Sequence, residues 1–300
     1  MPTLLTGFSG FAAGHLTQLL PCIPLADPDG SPTELRSRDA VLESIRRVEF
    51  DNVIHLAAQS SVAESFKRPR ETFDVNFYGT LNLLECLKES GFRGRFLYVG
   101  TADVYGAVPD QLLPVREEVA PHPRNPYAVS KVAAEALAFQ WSQSEGFDIV
   151  LCRPFNHTGP GQSDTFFLPT VARQIAQHRH GPALSSLQLG NLSITRDFSD
   201  VRDVVRAYTL LLERGRCGEI YNICSGIERS LRSVVDALQQ IAGTRVAIIT
   251  SAAKQRRGEQ ARMFGDSSKL TEHTDWKPSV PFEQTLADLL HYWEAKLSHE

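Results

Sequence analysis

The chain has 300 residues, of which 42% are hydrophobic and 22% are charged, a composition typical of a soluble protein with one large domain or one domain and a smaller lobe. The net charge of -4 and the pI near 6.2 exclude a strongly basic surface, so we expect a small-molecule partner and no nucleic acid. No apolar run approaches the ~20 residues of a membrane span, and MPTLLTG lacks the charged start of a signal peptide, which predicts a cytoplasmic protein with no membrane partner.

Short apolar runs alternate with longer helical patterns up to residue 155. The predicted strands are PTLLT, CIPLAD, NVIHLAA, GRFLYVG and FDIVLCRPF. NVIHLAA and RFLYVG are apolar at both alternating sets of positions, as a sheet covered on both faces requires. Helices are predicted at 11–20, 40–48, 71–91 and 126–145, the last opened by Pro126. This alternation predicts an α/β fold with a Rossmann-type, doubly wound parallel sheet.

After residue 155 the pattern changes to a Gly/Pro loop followed by shorter pieces. Helices are predicted at 201–214, at 230–242 and at the end of the chain near residue 298, with EIYNICS as a further strand. We therefore predict a first domain over residues 1–155, with later excursions at about 192–225, and a smaller α/β lobe over 156–300. A ligand is expected at the carboxyl ends of the parallel strands.

The segment TGFSGFAAGHL follows the first predicted strand and leads into a helix. Gly7 permits a tight turn, and Gly10 lets the backbone approach a pyrophosphate at the positive N-terminus of the helix. The third small position is Ala13, with Gly14 one residue further on. Because strand, turn and helix follow one another, the pattern predicts a dinucleotide site and not only a glycine-rich helix start.

Asp27 ends the second predicted strand, 20 residues after Gly7, where an acidic residue is expected to bind the adenosine ribose. It can equally be a turn residue of DPDG. No Arg or Lys lies between residues 21 and 35, so a 2'-phosphate has no evident partner there. This favours NADH over NADPH unless Arg36 or Arg38 reaches the site.

The cysteines and histidines predict neither a disulfide framework nor a metal site. No two cysteines form a CxxC pair, and their odd number is typical of reduced core thiols. They are Cys22, Cys86, Cys152, Cys217 and Cys224. His178 and His180 are the closest histidine pair, but no cluster of acidic residues or cysteines lies beside them.

The stretch NPYAVSKVAAEALAFQ places Tyr127 and Lys131 four residues apart, on one face of a predicted helix. An ammonium near a phenol favours the phenolate, so Lys131 is expected to lower the pKa of Tyr127 from its usual ~10. Thr101, in LYVGTADVYG, adds a hydroxyl at the end of a strand. Three such groups can bind and protonate one carbonyl oxygen beside a nicotinamide, which predicts acid–base catalysis.

Together these segments resemble the extended short-chain dehydrogenase/reductase family of nucleotide-sugar enzymes over essentially the whole chain. The resemblance lies in TGFSGF, HLAAQSSV, GTADVYG, NPYAVSK and RPFNHTGPGQ. PHPRNPYAVSK, TRDFSDVRDVVRAY, YNICSG and TDWKP are most similar to the branch that reduces the C4 ketone of GDP-4-keto-6-deoxy-D-mannose with NADPH or NADH, giving GDP-D-rhamnose. The resemblance implies a GDP-sugar substrate, an NAD(P)-binding domain over 1–155 and a substrate lobe mainly over 156–300.

Other members of the family remain alternatives, namely a nucleotide-sugar 4-epimerase and a GDP-mannose 4,6-dehydratase. The dehydratases keep a glutamate, in some branches after an aspartate, just beyond the threonine to remove the C5 proton. Ala102 and Asp103 occupy these positions in this chain, and they are poorly suited to catalysing the elimination. An epimerase uses the same triad for oxidation and return. A non-catalytic, cofactor-sensing protein is disfavoured because Thr101, Tyr127 and Lys131 are all present.

The resemblance also implies a role for each site residue. Tyr127 donates the proton, Thr101 holds the oxygen, and Lys131 binds the nicotinamide ribose and keeps the tyrosine acidic. Asp103 orients a sugar hydroxyl, unless it is a solvated turn residue. The implied cofactor contacts are Gly7, Phe8, Ser9, Gly10, Phe11, Asp27, Leu56, Ala57, Ala58, Tyr127, Lys131 and Pro154, with Arg153 beside Pro154. The implied substrate contacts are Ser60, Ser61, Asn156, Arg196, Arg256 and Glu259.

Two of these substrate contacts have alternatives. Arg257 stands where the family usually has proline, so Arg256 and Arg257 are both candidates. Arg196 can pair instead with a nearby acidic residue, and the candidates are Asp197, Asp200 and Asp203.

Two predicted helices, at 71–90 and 126–145, are apolar on more than one face. Their apolar residues include Phe73, Phe77, Leu81, Leu84, Leu87, Val132, Leu137, Phe139 and Trp141. In the resembling family such helices pair into a four-helix bundle between two subunits, which implies a homodimer. The alternative is that both helices only pack on the sheet.

Overall fold

The computed structural model describes residues 2–180, 184–251 and 260–298. The strands are β1 (Thr3–Thr6), β2 (Cys22–Pro24), β3 (Asn52–His55), β4 (Arg95–Val99), β5 (Asp148–Pro154), β6 (Asn156–Thr158), β7 (Leu187–Leu189), β8 (Thr195–Asp200), β9 (Ile220–Ile223), β10 (Glu228–Ser230) and β11 (Ile248–Thr250). Six of them form a sheet in the order β2-β1-β3-β4-β5-β9, in which all neighbours are parallel. The predicted fold class is confirmed.

Helices cover both faces of this sheet. The helices of the described residues are α1 (Phe11–Leu16), α2 (Arg38–Arg46), α3 (Val62–Lys67), α4 (Pro69–Phe73), α5 (Gly79–Glu89), α6 (Pro126–Ser144), α7 (Phe167–His180), α8 (Val201–Arg214), α9 (Leu231–Ile241), α10 (Ser268–Thr274) and α11 (Phe282–Leu297). Within the described ranges, none combines the length and apolar character needed to cross a membrane.

The side chains of each sheet strand alternate between two buried layers. In β4, Phe96 and Tyr98 pack with α2, α5 and α6, whereas Leu97 and Val99 pack with α1 and α8. All four are buried, because successive side chains of a strand point to opposite faces and both faces are covered. This arrangement explains why the strand reads as an uninterrupted apolar run.

A second apolar core lies among α7, α9 and α11, with side chains from β7 and β8. Beside it, β10, β8 and β6 form a three-stranded sheet, and β11 pairs with β7. Within the predicted excursion at 192–225, β9 joins the six-stranded sheet and α8 packs on it, whereas β8 belongs to the three-stranded sheet. The division of the chain at residue 155 stays a prediction.

The helix predicted over 71–91 is interrupted. α4 ends at Phe73, a single π-helical turn spans Asp74–Tyr78, and α5 begins at Gly79. A π-helical turn carries one extra residue, which the spacing of apolar residues does not reveal, and such turns are frequent at functional sites. Asn76 lies in this turn and is only 1% exposed.

Candidate active site

The Gly-rich turn between β1 and α1 requires glycine at position 7 for two reasons. The φ angle of Gly7 is +68°, and a Cβ built there would lie 2.7 Å from the backbone nitrogen of Ala57. The turn is closed by the Gly10 N–H, which donates to the Gly7 carbonyl at 2.9 Å. Helix α1 begins directly after Gly10, as predicted. The turn therefore lies against the loop after β3 that carries Leu56 and Ala57.

The two loops are also joined by side chains. Thr6 accepts a hydrogen bond from the Ala57 N–H at 3.1 Å. Phe8 and Phe11 are half-buried, whereas Ser9 is exposed. The ring of Phe11 stacks on His157, with centroids 6.1 Å apart. The backbone at Ser9 and Gly10 is therefore exposed, while the half-buried Phe8 and Phe11 hold the turn in place.

Asp27 belongs to a turn and also has a fixed carboxylate. Its carbonyl accepts from the Gly30 N–H at 2.9 Å, as expected for a turn residue. Its Oδ1 accepts from the hydroxyls of Thr33 at 2.9 Å and Ser44 at 3.4 Å. The turn interpretation of Asp27 is confirmed, and its role as a ribose contact stays a prediction. Two hydroxyls hold its carboxylate three residues after the end of β2.

The two arginines near Asp27 both have acidic partners. Arg36 pairs with Glu34 at 2.5 Å, and Arg38 pairs with Glu89 at 2.5 Å and with Glu85 at 3.5 Å. A 2'-phosphate at this site would have to compete with these carboxylates. The preference for NADH or NADPH therefore depends on how easily these exposed ion pairs open.

The catalytic candidates meet at the start of α6 and the end of β4. Asn125 caps α6, because its side chain accepts from the Ala128 N–H at 2.7 Å. The hydroxyl of Thr101 lies close enough to Tyr127 to lower the pKa of its phenol. Lys131 is 3% exposed. The structure therefore brings together Thr101, Tyr127 and Lys131, although Thr101 is remote from the other two in the sequence.

The ammonium of Lys131 contacts β4, and within the described residues no hydrogen bond joins it to the Tyr127 hydroxyl. Its Nζ donates to the Val99 carbonyl at 2.7 Å and lies 4.6 Å from the centre of the Tyr98 ring. Burial lowers the pKa of Lys131 to about 8, while nearby Cys152 and Glu135 oppose that shift. Lys131 therefore changes its charge within the working range of an enzyme.

The pKa of Tyr127 is raised, so the prediction that Lys131 lowers it was wrong for this structure. Burial raises the pKa most, the nearby Asp103 raises it further, and the neighbouring Thr101 hydroxyl lowers it. A buried phenol near a carboxylate resists ionisation because both effects disfavour a second negative charge. Tyr127 therefore holds its proton, as a proton donor must.

Ala102 and Asp103 lie in a short 3-10 turn that begins after Thr101. The Asp103 N–H donates to the Thr101 hydroxyl at 3.2 Å. Ala102 is buried with Val104 and Tyr105 in a small apolar cluster, whereas Asp103 is half-buried. Only Asp103 of this pair is thus placed to act on a substrate.

Asn76 connects two parts of the site, and sequence reasoning missed it. Its Oδ1 accepts from the Gln59 N–H at 2.8 Å, and its Nδ2 donates to the Gln59 carbonyl at 3.2 Å and the Ser130 hydroxyl at 2.9 Å. Ser130 in turn donates to the Tyr127 carbonyl at 2.7 Å. A polar residue among apolar neighbours in a buried helix was the available signal.

Ser60 and Ser61, predicted to border the sugar, differ in their surroundings. The hydroxyl of Ser61 caps α3 by accepting from the Glu64 N–H at 3.2 Å. Its own N–H donates to the Gln59 side chain at 2.5 Å. Ser60 is exposed. The cap uses one acceptor position of Ser61, while Ser60 faces the solvent.

The candidate residues for the nucleotide end are only partly described. Asn156 is exposed at the start of β6. Arg196, on β8, donates to the Thr195 carbonyl at 2.7 Å and to the Gln260 carbonyl at 2.9 Å. Arg256 and Glu259 lie outside the described residues, as does the alternative candidate Arg257. Of these residues, the structure places Asn156 and Arg196 on neighbouring strands of one sheet.

The acidic residues considered as partners of Arg196 are engaged elsewhere. Asp200 pairs with Arg202 at 2.7 Å, and Asp203 pairs with Arg206 at 2.8 Å. Asp197 accepts hydrogen bonds from the backbone of Ser225 at 2.8 Å and of Gly226 at 2.9 Å. These contacts give the carboxylates structural roles: Asp197 joins β8 to the residues after β9, and Asp200 and Asp203 lie at the start of α8.

Arg153 and Pro154 end β5, but they differ from expectation. Pro154 is paired with Ile223 of β9. Arg153 forms a buried ion pair with Glu135 of α6 at 2.6 Å. Its guanidinium is therefore committed to Glu135 in the interior, and of the two only Pro154 remains a candidate cofactor contact.

Comparison with known proteins adds to this geometry. The family model described as GDP-mannose 4,6 dehydratase matches residues 31–289. A GDP-6-deoxy-D-mannose reductase from Pseudomonas aeruginosa is 43% identical over 300 aligned positions that cover 98% of each chain. The chain belongs to the extended short-chain dehydrogenase/reductase family of nucleotide-sugar enzymes.

Solved structures of the family agree over the whole length. The structure of RMD from Pseudomonas aeruginosa complexed with NADPH has a TM-score of 0.92 and 42% identity, and the match covers 98% of this chain and 99% of that one. A UDP-glucose 4-epimerase of Thermus thermophilus in complex with NAD has a TM-score of 0.85 and 28% identity over 98% and 99% of the chains.

Proposed function

We propose that the protein reduces the C4 ketone of GDP-4-keto-6-deoxy-D-mannose to GDP-D-rhamnose with NADPH or NADH. The observation that carries this proposal is the half-buried Tyr127, which keeps its proton and lies beside Thr101, one helical turn before Lys131 on α6. Similarity to the P. aeruginosa reductase over nearly the full length of both chains supports the same activity.

The residues of the Gly-rich turn fit a nicotinamide dinucleotide. Ser9 and Gly10 are exposed at the start of α1, where backbone N–H groups bind phosphate oxygens. The carboxylate of Asp27, held by Thr33 and Ser44, suits the hydroxyls of a ribose. The bound cofactor supplies the hydride. We assign its contacts to the residues proposed from the sequence, except that Arg153 is replaced by the backbone around Pro154.

Proton transfer is assigned to the chain's own groups. Thr101 and Tyr127 bind the carbonyl oxygen of the sugar, and Tyr127 passes its proton to that oxygen as negative charge develops on it. Asp103 stands on the turn after Thr101 and orients a sugar hydroxyl. Lys131, with its pKa near 8, is charged at neutral pH and stabilises the ionised tyrosine once the proton has left.

The nucleotide end of the substrate is assigned to the second part of the chain. Asn156 and Arg196 lie on the neighbouring strands β6 and β8, and Ser60 and Ser61 flank the sugar. Arg256 and Glu259 complete this proposal from the sequence alone. A guanidinium suits a diphosphate because its donors match the oxygens in pairs.

An epimerase is the second candidate, because the same triad serves oxidation and return and the T. thermophilus epimerase shares the fold. A dehydratase is less well supported. The position where that branch can carry an aspartate is Ala102, which is buried in an apolar cluster and cannot move a proton.

We also propose a homodimer through a four-helix bundle. Most apolar residues of α5 and α6 pack on the sheet, as the alternative interpretation predicted. However, α6 also exposes Val129 at 40% and Phe139 at 44%, and the π-helical turn exposes Tyr78 at 53%. Burial of these side chains against a second copy would remove apolar surface from water. A cytoplasmic location is proposed because all five cysteines are unpaired.

The test of the reaction is the absorbance of reduced nicotinamide with purified protein, NADPH or NADH, and the keto sugar generated in place. We expect absorbance to fall only when the sugar is present, and the Tyr127→Phe variant to be at least ~100-fold slower. If absorbance stays constant while the purified protein carries bound NAD, the epimerase becomes the better assignment.

A further inference from the structure

Glu135 lies on α6 one turn beyond Lys131, and its side chain is 7% exposed. Its two carboxylate oxygens accept from Arg153, with Nε at 2.9 Å and Nη2 at 2.6 Å. The Arg153 side chain is 3% exposed. A two-bond pair of this kind fixes orientation as well as distance. It therefore ties α6 to the end of β5, immediately before Pro154.

The same carboxylate lies beside the end of β4. A Cβ built at Gly100 would be 3.4 Å from the Oε2 of Glu135 and 2.8 Å from the Cys152 carbonyl. The Gly100 N–H donates to that carbonyl at 2.8 Å. Gly100 directly precedes Thr101. Glycine at position 100 permits the close approach of β4 to the Cys152 carbonyl, and the Glu135 carboxylate lies directly beside that approach.

We propose that Glu135 is a positioning residue of the active centre, which together with Arg153 holds the strand ends carrying Thr101 and Pro154 against α6 beside Lys131. A buried ion pair is costly to desolvate and is weak evidence for stability alone. Because the ion pair lies beside Thr101, Pro154 and Lys131, its role is to hold these positions in place. The inference rests on the proposed function in so far as Thr101 and Lys131 act on the substrate.

The charge of Glu135 also acts on Lys131. Three other titratable groups face that ammonium, namely Cys152 from β5, Tyr98 from β4 and His55 from β3. Burial raises the pKa of the Cys152 thiol and of the Tyr98 phenol and lowers that of His55 to about 3. These three groups are therefore neutral near pH 8. Glu135 thus supplies negative charge that helps Lys131 keep its proton.

The experiment measures the titration of Lys131 directly in the full chain without substrate. Protein labelled with carbon-13 at the lysine Cε is titrated by NMR, and the resonance of Lys131 is the one missing from Lys131→Met. Glu135→Gln preserves the size of the side chain and removes its charge. Glu135→Asp keeps the charge. Glu145→Gln removes a carboxylate that pairs with Lys88 at the far end of α6.

We expect the pKa of Lys131 to fall by about one unit in Glu135→Gln, a tenfold change in proton affinity. It should stay near the parent value in Glu135→Asp and Glu145→Gln. An unchanged titration in Glu135→Gln, or an equal shift in Glu145→Gln, would overturn the electrostatic part. Because no turnover is needed, these outcomes are independent of whether the protein is a reductase.

The Glu135→Asp variant tests whether Glu135 positions the strand ends. It remains usable if Glu135→Gln fails to fold because Arg153 loses its charged partner. Its carboxylate retreats by one methylene, so the two bonds to Arg153 cannot both be kept without movement of a strand end. We expect kcat for ketone reduction to fall about tenfold or more, because small displacements at reacting groups are costly. A parent kcat in this variant overturns positioning, whereas absence of reduction in the parent overturns the proposed function instead.

Discussion

Replacement of Gly7 by alanine should both destabilise the protein and weaken cofactor binding. The new Cβ would lie 2.7 Å and 2.8 Å from the N and Cα atoms of Ala57 and 3.0 Å from the carbonyl carbon of Leu56, and these are backbone atoms that cannot rotate away. The φ of +68° costs alanine about 1–2 kcal/mol, and forced displacement of a packed segment adds about 1–3 kcal/mol. We therefore expect a loss of about 2–5 kcal/mol from the free energy of unfolding.

Urea unfolding followed by tryptophan fluorescence measures this loss, and nucleotide fluorescence measures the Kd for NADPH, which should rise because the turn and the loop after β3 separate. Gly14→Ala is the matched control. Gly14 is exposed on α1 with nothing within 4 Å of a built Cβ, so alanine should raise stability by up to ~1 kcal/mol. If Gly7→Ala matched the parent in stability and affinity, the argument that this turn must be glycine would fail.

Four further predictions concern the charge of Lys131, the π-helical turn and assembly. The pKa of Lys131 is lowered from 10.5 to about 8, so the unfolded chain binds more protons than the folded chain between about pH 8 and pH 10.5. The free energy of unfolding of the parent, relative to Lys131→Met, should therefore rise with pH across that window and be lowest below it. Ketone reduction should slow as pH rises through about 8, because Lys131 then loses its charge. Asn76→Ala leaves the N–H and carbonyl of Gln59 without their side-chain partner and should lower the free energy of unfolding in urea by about 1–3 kcal/mol. Ser130→Ala removes only one contact with Asn76, so an equal loss of stability in both variants would contradict this. The double variant Val129→Lys, Phe139→Lys should sediment as a monomer at micromolar concentration. The control Phe166→Lys, at a 39% exposed position before α7, should leave the parent's assembly unchanged. A parent that already sediments as a monomer would refute the dimer.

Much of the fold follows from local pattern. The α8 helix has the predicted bounds of 201–214, and α6 begins at the predicted Pro126, because strong amphipathic or apolar periodicity and a proline at the first turn are local signals. The π-helical turn at Asp74–Tyr78 was not predictable from the same signals. It depends on where Asn76 finds buried partners, which is a tertiary property.

The site was predicted less completely than the fold. The Gly7 turn and the meeting of Thr101 with Tyr127 follow from strand ends and helix starts at one edge of a parallel sheet. The direction of the Lys131 ammonium does not, because it depends on the Val99 carbonyl and the Tyr98 ring of another strand. The partner of Arg153 was likewise hidden, since Glu135 is 18 residues away in sequence.

The position of β9 bears on the order in which the chain assembles during synthesis. β9 pairs with β5 through contacts such as Leu151 with Ile220, so the edge of the main sheet stays open until residue 223 has been made. A fragment cut at residue 155 would expose the hydrogen-bonding edge of β5, whose residues from Ile149 to Pro154 are buried in the whole chain. Open apolar edges recruit other strands. The N-terminal part is therefore expected to aggregate when expressed alone, although its sequence reads as a complete domain.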